Sequence, residues 1–379
     1  MPRPGQVKAA DEGLSDRLAI GLLVHAFPPD LVDHVVAECG RAERRSRLLP
    51  ARAVVYFVLA MCLFSRQSYA QVARLVAEGL AWAGQGSRPW PVPTTAAICR
   101  ARARLGPEPL AALFAEVASP ASPARPSRRA RPTPTTTGTE GERYRQWRLL
   151  AIDGTSVGVP DSVENRARYG PPPATAAGRP AFAQVHVVAL AECGTHAITR
   201  AALGRSSHPG HTLTRELLGA VAQGDLLLAD HRFTGIELIP AACASGADLL
   251  WGIGPWPLPV RAALPDGSYL CDLVTDGTHR PRTDPPVVRV IEAARDATGL
   301  ADRLVTTVLD HEAAPSHGLA ALYRRRWEIE ASLDTLGALR RGAPHVLRSR
   351  WPEGVEQELW GHLLIHHTIR SLLHSASRP

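Results

Sequence analysis

Apolar residues between Leu14 and about Val117 recur every three or four positions, as at Leu18, Leu22, Leu31, Val35 and Val36. That period predicts amphipathic helices and few strands. Pro28 and Pro29 follow an apolar stretch and precede Asp30, a pattern that starts helices. Pro91, Pro93, Thr94 and Thr95 open another helix running through Ala96 to Leu105. The longest apolar run, Ala53 to Phe64, falls short of the roughly 20 residues a membrane-spanning helix needs. It predicts a buried helix instead. Residues 14–117 are therefore expected to form a helical N-terminal domain.

The periodicity then stops. Residues 118–143 are rich in Pro, Thr and Arg, with a basic half from Arg125 to Arg131, and read as a linker. Beyond it the texture changes to short strands alternating with helices. Trp147 to Ile152 is a buried strand expected to end at Asp153. Phe182 to Ala191 and His196 to Ala202 are two more, joined at Cys193 and Gly194. Thr212 to Val221 is helical, Leu226 to Ala229 is a strand ending at Asp230, and residues from about 249 to 300 look like a β-rich insertion. A long helix is expected from near Ser316. This order suits a mixed α/β sheet with flanking helices over residues 144–379.

Charge narrows the choice of partner. The 379 residues carry a formal net charge of +7, and Lys8 is the only lysine, so the basicity is almost entirely arginine. A polyanionic partner is favoured. Arg100, Arg102 and Arg104, in one predicted helix, either meet phosphates or form a solvated face. Six scattered cysteines with no CxxC pair argue against a zinc knuckle or a disulfide framework. The polar start, Met1 to Gly13, has no apolar secretory core, so a cytoplasmic protein without a membrane partner is expected.

Candidate chemistry lies at the strand ends. Asp153, in LLAIDGTSV, and Asp230, in LLLADHRF, each follow an apolar strand, where the carboxyl edge of a sheet opens into a cleft. In the helix ALYRRRWEIEASLDTLGALRRG, Tyr323, Arg326 and Glu330 are spaced by three and four residues and share one face. Leu322, Ile329, Leu333 and Leu336 occupy the other side. Three converging carboxylates are hard oxygen ligands suited to Mg²⁺ or Mn²⁺. A pair of such ions supports in-line phosphodiester cleavage without a protein nucleophile. His208 and His211 lack the surroundings of a metal-binding HExxH helix.

These residues resemble the insertion-sequence transposases of the insertion-element-four type. The signature of that family, Tyr, two residues, Arg, three residues, Glu, six residues and Lys, is matched by Tyr323, Arg326 and Glu330. AIDGTSVGVPDSVEN and LLLADHRFTG resemble its first and second aspartate regions, and residues 14 to about 113 are similar to its N-terminal domain. The resemblance implies a ribonuclease-H-like fold and a catalytic, metal-binding triad of Asp153, Asp230 and Glu330 with two Mg²⁺ or Mn²⁺ ions. It implies DNA contacts from Tyr323 and Arg326, and a cut-and-paste reaction on terminal inverted repeats and target DNA; pairing two DNA ends then calls for a homodimer. Trp251 and Trp256 would be core aromatics or wedges holding a flipped base. Two positions depart from the pattern: Gly337 stands where the family has Lys, and Arg232 where it has a small residue. Arg341, five helical turns beyond Tyr323, is the candidate to take over the phosphate contact of the lysine. A catalytically decayed DNA-binding relative and a purely hydrolytic ribonuclease-H-like nuclease remain the alternatives.

Overall fold

The computed structural model describes residues 8–43, 45, 49–82, 92–118, 143–171, 182–205, 210–230, 238–254, 256–274, 285–292, 303–326, 329, 333 and 347–377. Glu330, Gly337, Arg341, Arg232, His208 and most of the linker lie outside them. Contacts divide the chain into two units. One comprises Met1–Val117, Val159–Asn165 and Leu347–Leu372; the other comprises Ala118–Gly158, Arg166–Val346 and Leu373–Pro379.

The first unit is helical. Its elements are α1 (Lys8–Ala26), α2 (Pro29–Glu38), α3 (Ala51–Leu63), α4 (Tyr69–Trp82), α5 (Thr95–Leu105) and α6 (Glu108–Val117). Pro29 occupies the first turn of α2, where its missing N–H costs nothing. The Thr94 hydroxyl caps α5 by accepting from the Ala97 amide at 3.3 Å, and Gly106 ends that helix at a φ of 70°. The apolar run becomes α3, whose residues from Ala53 to Cys62 are all buried. No single helix among the described residues is long and apolar enough to cross a membrane.

Residues 347–372, expected in the domain that follows the linker, cluster instead with these N-terminal helices. The reason is packing along the C-terminal helix Pro352–Ser377. Trp360 meets Phe114 at 5.6 Å between ring centroids, and Gly361 faces Cys62 so closely that an added Cβ would lie 2.7 Å from its Sγ.

Beneath this interface lies Arg102, fully buried. It donates to Gln357 Oε1 at 3.0 Å, the Tyr69 hydroxyl at 2.6 Å, Ser349 Oγ at 3.0 Å and the Gly354 carbonyl at 3.0 Å, with the Glu358 carboxylate at 3.6 Å. Neither sequence reading of Arg102, phosphate contact or solvated face, survives. Arg100 and Arg104, on either side, are exposed.

The second unit is built on one mixed sheet. Its strands are β1 (Arg143–Tyr144), β2 (Trp147–Gly158), β3 (Gln184–Glu192), β4 (Ile198–Arg205), β5 (Asp225–Ala229), β6 (Asp248–Ile253), β7 (Val260–Ala263), β8 (Tyr269–Asp272), β9 (Val287–Glu292) and β10 (Arg303–Thr306). The order across it is β4-β3-β2-β5-β6-β10-β9-β8-β7, with β1 paired to β2. β2, β5 and β6 are mutually parallel and the other pairs antiparallel. Leu150, Ile152, Leu227, Ala229, Leu249 and Trp251 contribute to a core that also takes in Leu213 and Leu217 of helix Gly210–Leu218 and Ile239 and Ala242 of helix Ile239–Cys243.

Two expectations change here. Asp248–Ile253, at the start of the expected insertion, is an inner strand of the sheet, because its run Leu249–Ile253 is buried on both faces between β5 and β10. The β-rich remainder, β7 to β9, extends the same sheet. Trp251 is only 1 % exposed in that core, so it holds no flipped base. Trp256 is partly buried and donates its indole N–H to the Val274 carbonyl at 2.9 Å.

Candidate active site

β2 does not stop at Asp153 as expected. It runs on to Gly158 because β3 pairs with its full length, Asp153 opposite Ala189. On its other side, however, the parallel pairing with β5 ends at Ile152 opposite Ala229. Asp153 and Asp230 are thus the next residues on two neighbouring parallel strands. Side chains alternate along a strand, and Ile152 and Ala229 both belong to the core described above. The two aspartates therefore leave the sheet on its opposite face, on backbones about 4.8 Å apart. Both are partly buried. Asp153 Oδ1 accepts from the Gly154 amide at 2.7 Å.

The helix expected near Ser316 begins there. It is α-helical over Ser316–Tyr323 (α10) and tightens into a 3-10 turn over Arg324–Arg326. Leu319 and Leu322 are buried, as are Ile329 and Leu333 further along. Arg326 reaches Asp230, with Nη1 at 3.2 Å from Oδ2, and both side chains are mostly buried. The Arg326 guanidinium also lies over the Tyr323 ring, 5.1 Å from its centroid. Tyr323 itself is only 2 % exposed and donates its hydroxyl to the Ala229 carbonyl at 3.4 Å. Four of the residues singled out in the sequence, Asp153, Asp230, Tyr323 and Arg326, thus gather where the β2–β5 pairing ends. Among the described residues no set of three metal-ligating side chains stands together. The two adjacent carboxylates nevertheless fit a hard divalent cation as part of its oxygen ligand set.

Sequence reading missed the residues around the start of α10. Asp266 lies in the tight turn between β7 and β8 and accepts from the Ser316 amide at 2.8 Å, while its carbonyl accepts from the Ser316 hydroxyl at 2.7 Å. It also accepts from Ser268 and is ion-paired with Arg289. Burial opposes its ionisation, but the hydrogen bonds from Ser268 and Ser316 and the Arg289 charge outweigh that and hold the carboxyl well below the usual range. Arg289, fully buried on β9, donates to Ser268 Oγ and to the Ala314 carbonyl, each at 2.7 Å. One signal was present: an arginine centred in the apolar run VVRVIE needs a buried partner.

Comparison with known proteins is consistent along the chain. A family model described as Transposase DDE domain matches residues 145–367, and one described as Insertion element 4 transposase N-terminal matches residues 17–115. Transposase InsG for insertion sequence element IS4, from Escherichia coli (strain K12), is 30% identical over 356 residues, covering 90% of this chain and 74% of that protein. Putative transposase InsZ of the same strain is 24% identical over 243 residues, covering 62% of this chain and 71% of that protein. Among solved structures, a piggyBac transposase synaptic complex with hairpin DNA aligns at a TM-score of 0.44 and 13% identity, over 95% of this chain and 75% of that one. The extent of the DDE-domain match defines a metal-dependent, DNA-cleaving transposase. The chain belongs to the insertion element 4 family of these enzymes.

Proposed function

We propose that this DNA transposase binds the terminal inverted repeats of its own element, cuts the element out and joins it to target DNA, using Asp153, Asp230 and Glu330 as its carboxylate triad. The observation that carries the site assignment is the placement of Asp153 and Asp230 side by side beyond the last β2–β5 pair, with Arg326 on Asp230. Glu330, four residues past Arg326 on the same stretch of chain, supplies the third carboxylate. The group they hold is a pair of Mg²⁺ or Mn²⁺ ions, which when bound activate the attacking oxygen and stabilise the leaving one.

The chain's own part is to orient. Asp153 and Asp230, fixed on adjacent strands of a packed sheet, hold their carboxylates at a set spacing. Arg326 offers a planar fork to the scissile phosphate, suited to bidentate contact. The Tyr323 ring supports that fork from below, so both residues serve the DNA near the cut. Arg341 takes the more distant phosphate contact for which the family uses lysine. Residues 14–117 bind the DNA ends, residues 118–143 link them to the catalytic part, and the sheet unit within residues 144–379 carries the chemistry. Two protomers pair two ends.

The test is a duplex carrying both terminal repeats, incubated with the protein and either metal. Double-strand release at the element boundaries, followed by joining of the 3′ ends to a second DNA, supports the reading. Nicking without release or joining refutes the cut-and-paste part. The mass of the protein–DNA complex by light scattering tests the dimer: a single protomer bridging two ends refutes it.

A further inference from the structure

The segment leading into α10 is held from two directions. On one side, the β7–β8 turn grips Ser316 through both the side chain and the carbonyl of Asp266, and buried Arg289 ties Asp266 to the Ala314 carbonyl. On the other, Arg145, in the β1–β2 turn at a φ of 54°, donates to the carbonyls of Glu312, at 3.2 Å, and Ala313. Next to it the Tyr144 hydroxyl comes so close to Gly318 that an added Cβ would sit 2.6 Å from its oxygen. These holds fall on residues 312–318, the lead-in and first turn of the helix that delivers Tyr323 and Arg326 to the end of β5. β2, which continues from the second hold, carries Asp153.

A short helix is stiff along its axis, rising about 1.5 Å per residue with each side-chain direction fixed by the turn. Fixing its first residue therefore fixes where Tyr323 and Arg326 arrive, two and three turns later. We propose that Asp266 and Arg289 are positioning residues for the transposition site: their paired charges lock the start of α10 so that Arg326 meets Asp230. The strands β7 to β9 thereby gain a direct mechanical connection to the catalytic carboxylates. Neither residue touches the reacting atoms. The inference rests on the site proposed above.

Two variants release the lock differently. Asp266→Asn removes the charge that pairs with Arg289. Ser316→Pro removes the N–H and hydroxyl that bond Asp266 and leaves the helix start intact, because proline is favoured at the first helical position and Pro315 already has the extended backbone that must precede it. Hydrogen exchange by mass spectrometry, read without metal or DNA, should show faster exchange within residues 316–326 in both variants, at the amides from 317 onward, with β2 and β5 protected as in the parent. With end DNA and Mn²⁺, the metal concentration for half-maximal cutting should rise about tenfold while DNA affinity is unchanged, as when the support of a metal ligand is lost. Asp266→Glu should recover most of both. Unchanged exchange in 316–326, exchange accelerated across the whole sheet, or an unshifted metal dependence would each overturn the inference. Cutting by an Asp230→Ala control, or no cutting by the parent chain, would instead overturn the site reading and this inference with it.

Discussion

Replacing Arg102 with Met should destabilise the helical unit severely and leave the electrostatics of DNA binding untouched. The guanidinium is fully buried and makes four hydrogen bonds to oxygen acceptors, on Gln357, Tyr69, Ser349 and Gly354, and a fifth to the Met61 sulfur, while lying over the Trp351 ring at 5.0 Å from its centroid. Its loss takes the buried positive charge from beside the Glu358 carboxylate, 2 % exposed, which keeps the hydrogen bonds donated by the Arg348 amide and the Ser349 hydroxyl. Removing one partner of a buried ion pair costs about 3–5 kcal/mol, most of it the penalty of the uncompensated charge left behind. In a unit of this size each kcal/mol moves the melting temperature by roughly 2–4 °C, so a fall of about 6–20 °C is expected. Arg102→Lys should recover little, because one ammonium cannot replace a planar fork that bonds in three directions. Adding Glu358→Gln to Arg102→Met should recover part of the loss by removing the uncompensated charge. Urea melts followed by tryptophan fluorescence give the stability, and salt titrations of end binding give the electrostatics. A phosphate contact would lower the slope of log affinity against log salt by about 0.9 when removed. A melt within about 1 kcal/mol of the parent, together with that drop in slope, would refute the assignment of Arg102 to the core.

Other expectations concern the sheet unit. Trp251→Ala should cost about 3–5 kcal/mol in a denaturant melt. Trp251→Phe should cost far less, since the indole N–H has no hydrogen-bond partner among the described residues, and neither change should alter the pattern of cut DNA ends. His186 opposes Ser156 across β2 and β3, with Oγ and Nδ1 3.3 Å apart, and burial pushes its pKa below the usual 6.5. A base depressed in the folded state contributes stability that is present above pH 6.5 and lost as pH falls through its folded value. The stability of the parent relative to His186→Gln should therefore decline between about pH 7 and pH 5; an advantage independent of pH across that range would contradict the burial effect. Asp153→Asn and Glu330→Gln should each slow cutting by about 10³-fold or more, the scale of several kcal/mol of metal-assisted stabilisation, with end binding retained in a mobility-shift assay.

How far the sequence foretold the molecule depended on whether the deciding contacts were local. Asp153 and Asp230 stood out because an apolar run stops before each, and the pairing of β2 with β5 then brought them together. Tyr323 and Arg326 were legible because helical spacing is a local property. The length of β2 was not, since Asp153 to Gly158 stays extended only because β3 pairs with it. Nor was the burial of Arg102, whose partners Ser349, Gln357 and Glu358 come from the far end of the chain. Trp251 reads from the sequence first as a core aromatic and second as a wedge, and β5 and β10, which flank it, place it in the core. Asp266 carried no signal in the sequence, since its partners Arg289 and Ser316 lie 23 and 50 residues further along the chain.

The most direct test of the proposed site is cleavage of a labelled duplex carrying the element's terminal repeats, in Mg²⁺ and in Mn²⁺, by the parent chain and by Asp230→Ala. Cutting at the element boundary by the parent alone, with equal binding by both proteins, is the expected result. Boundary cutting by Asp230→Ala in either metal would contradict it, because the carboxylate beside Asp153 would then be dispensable for the chemistry.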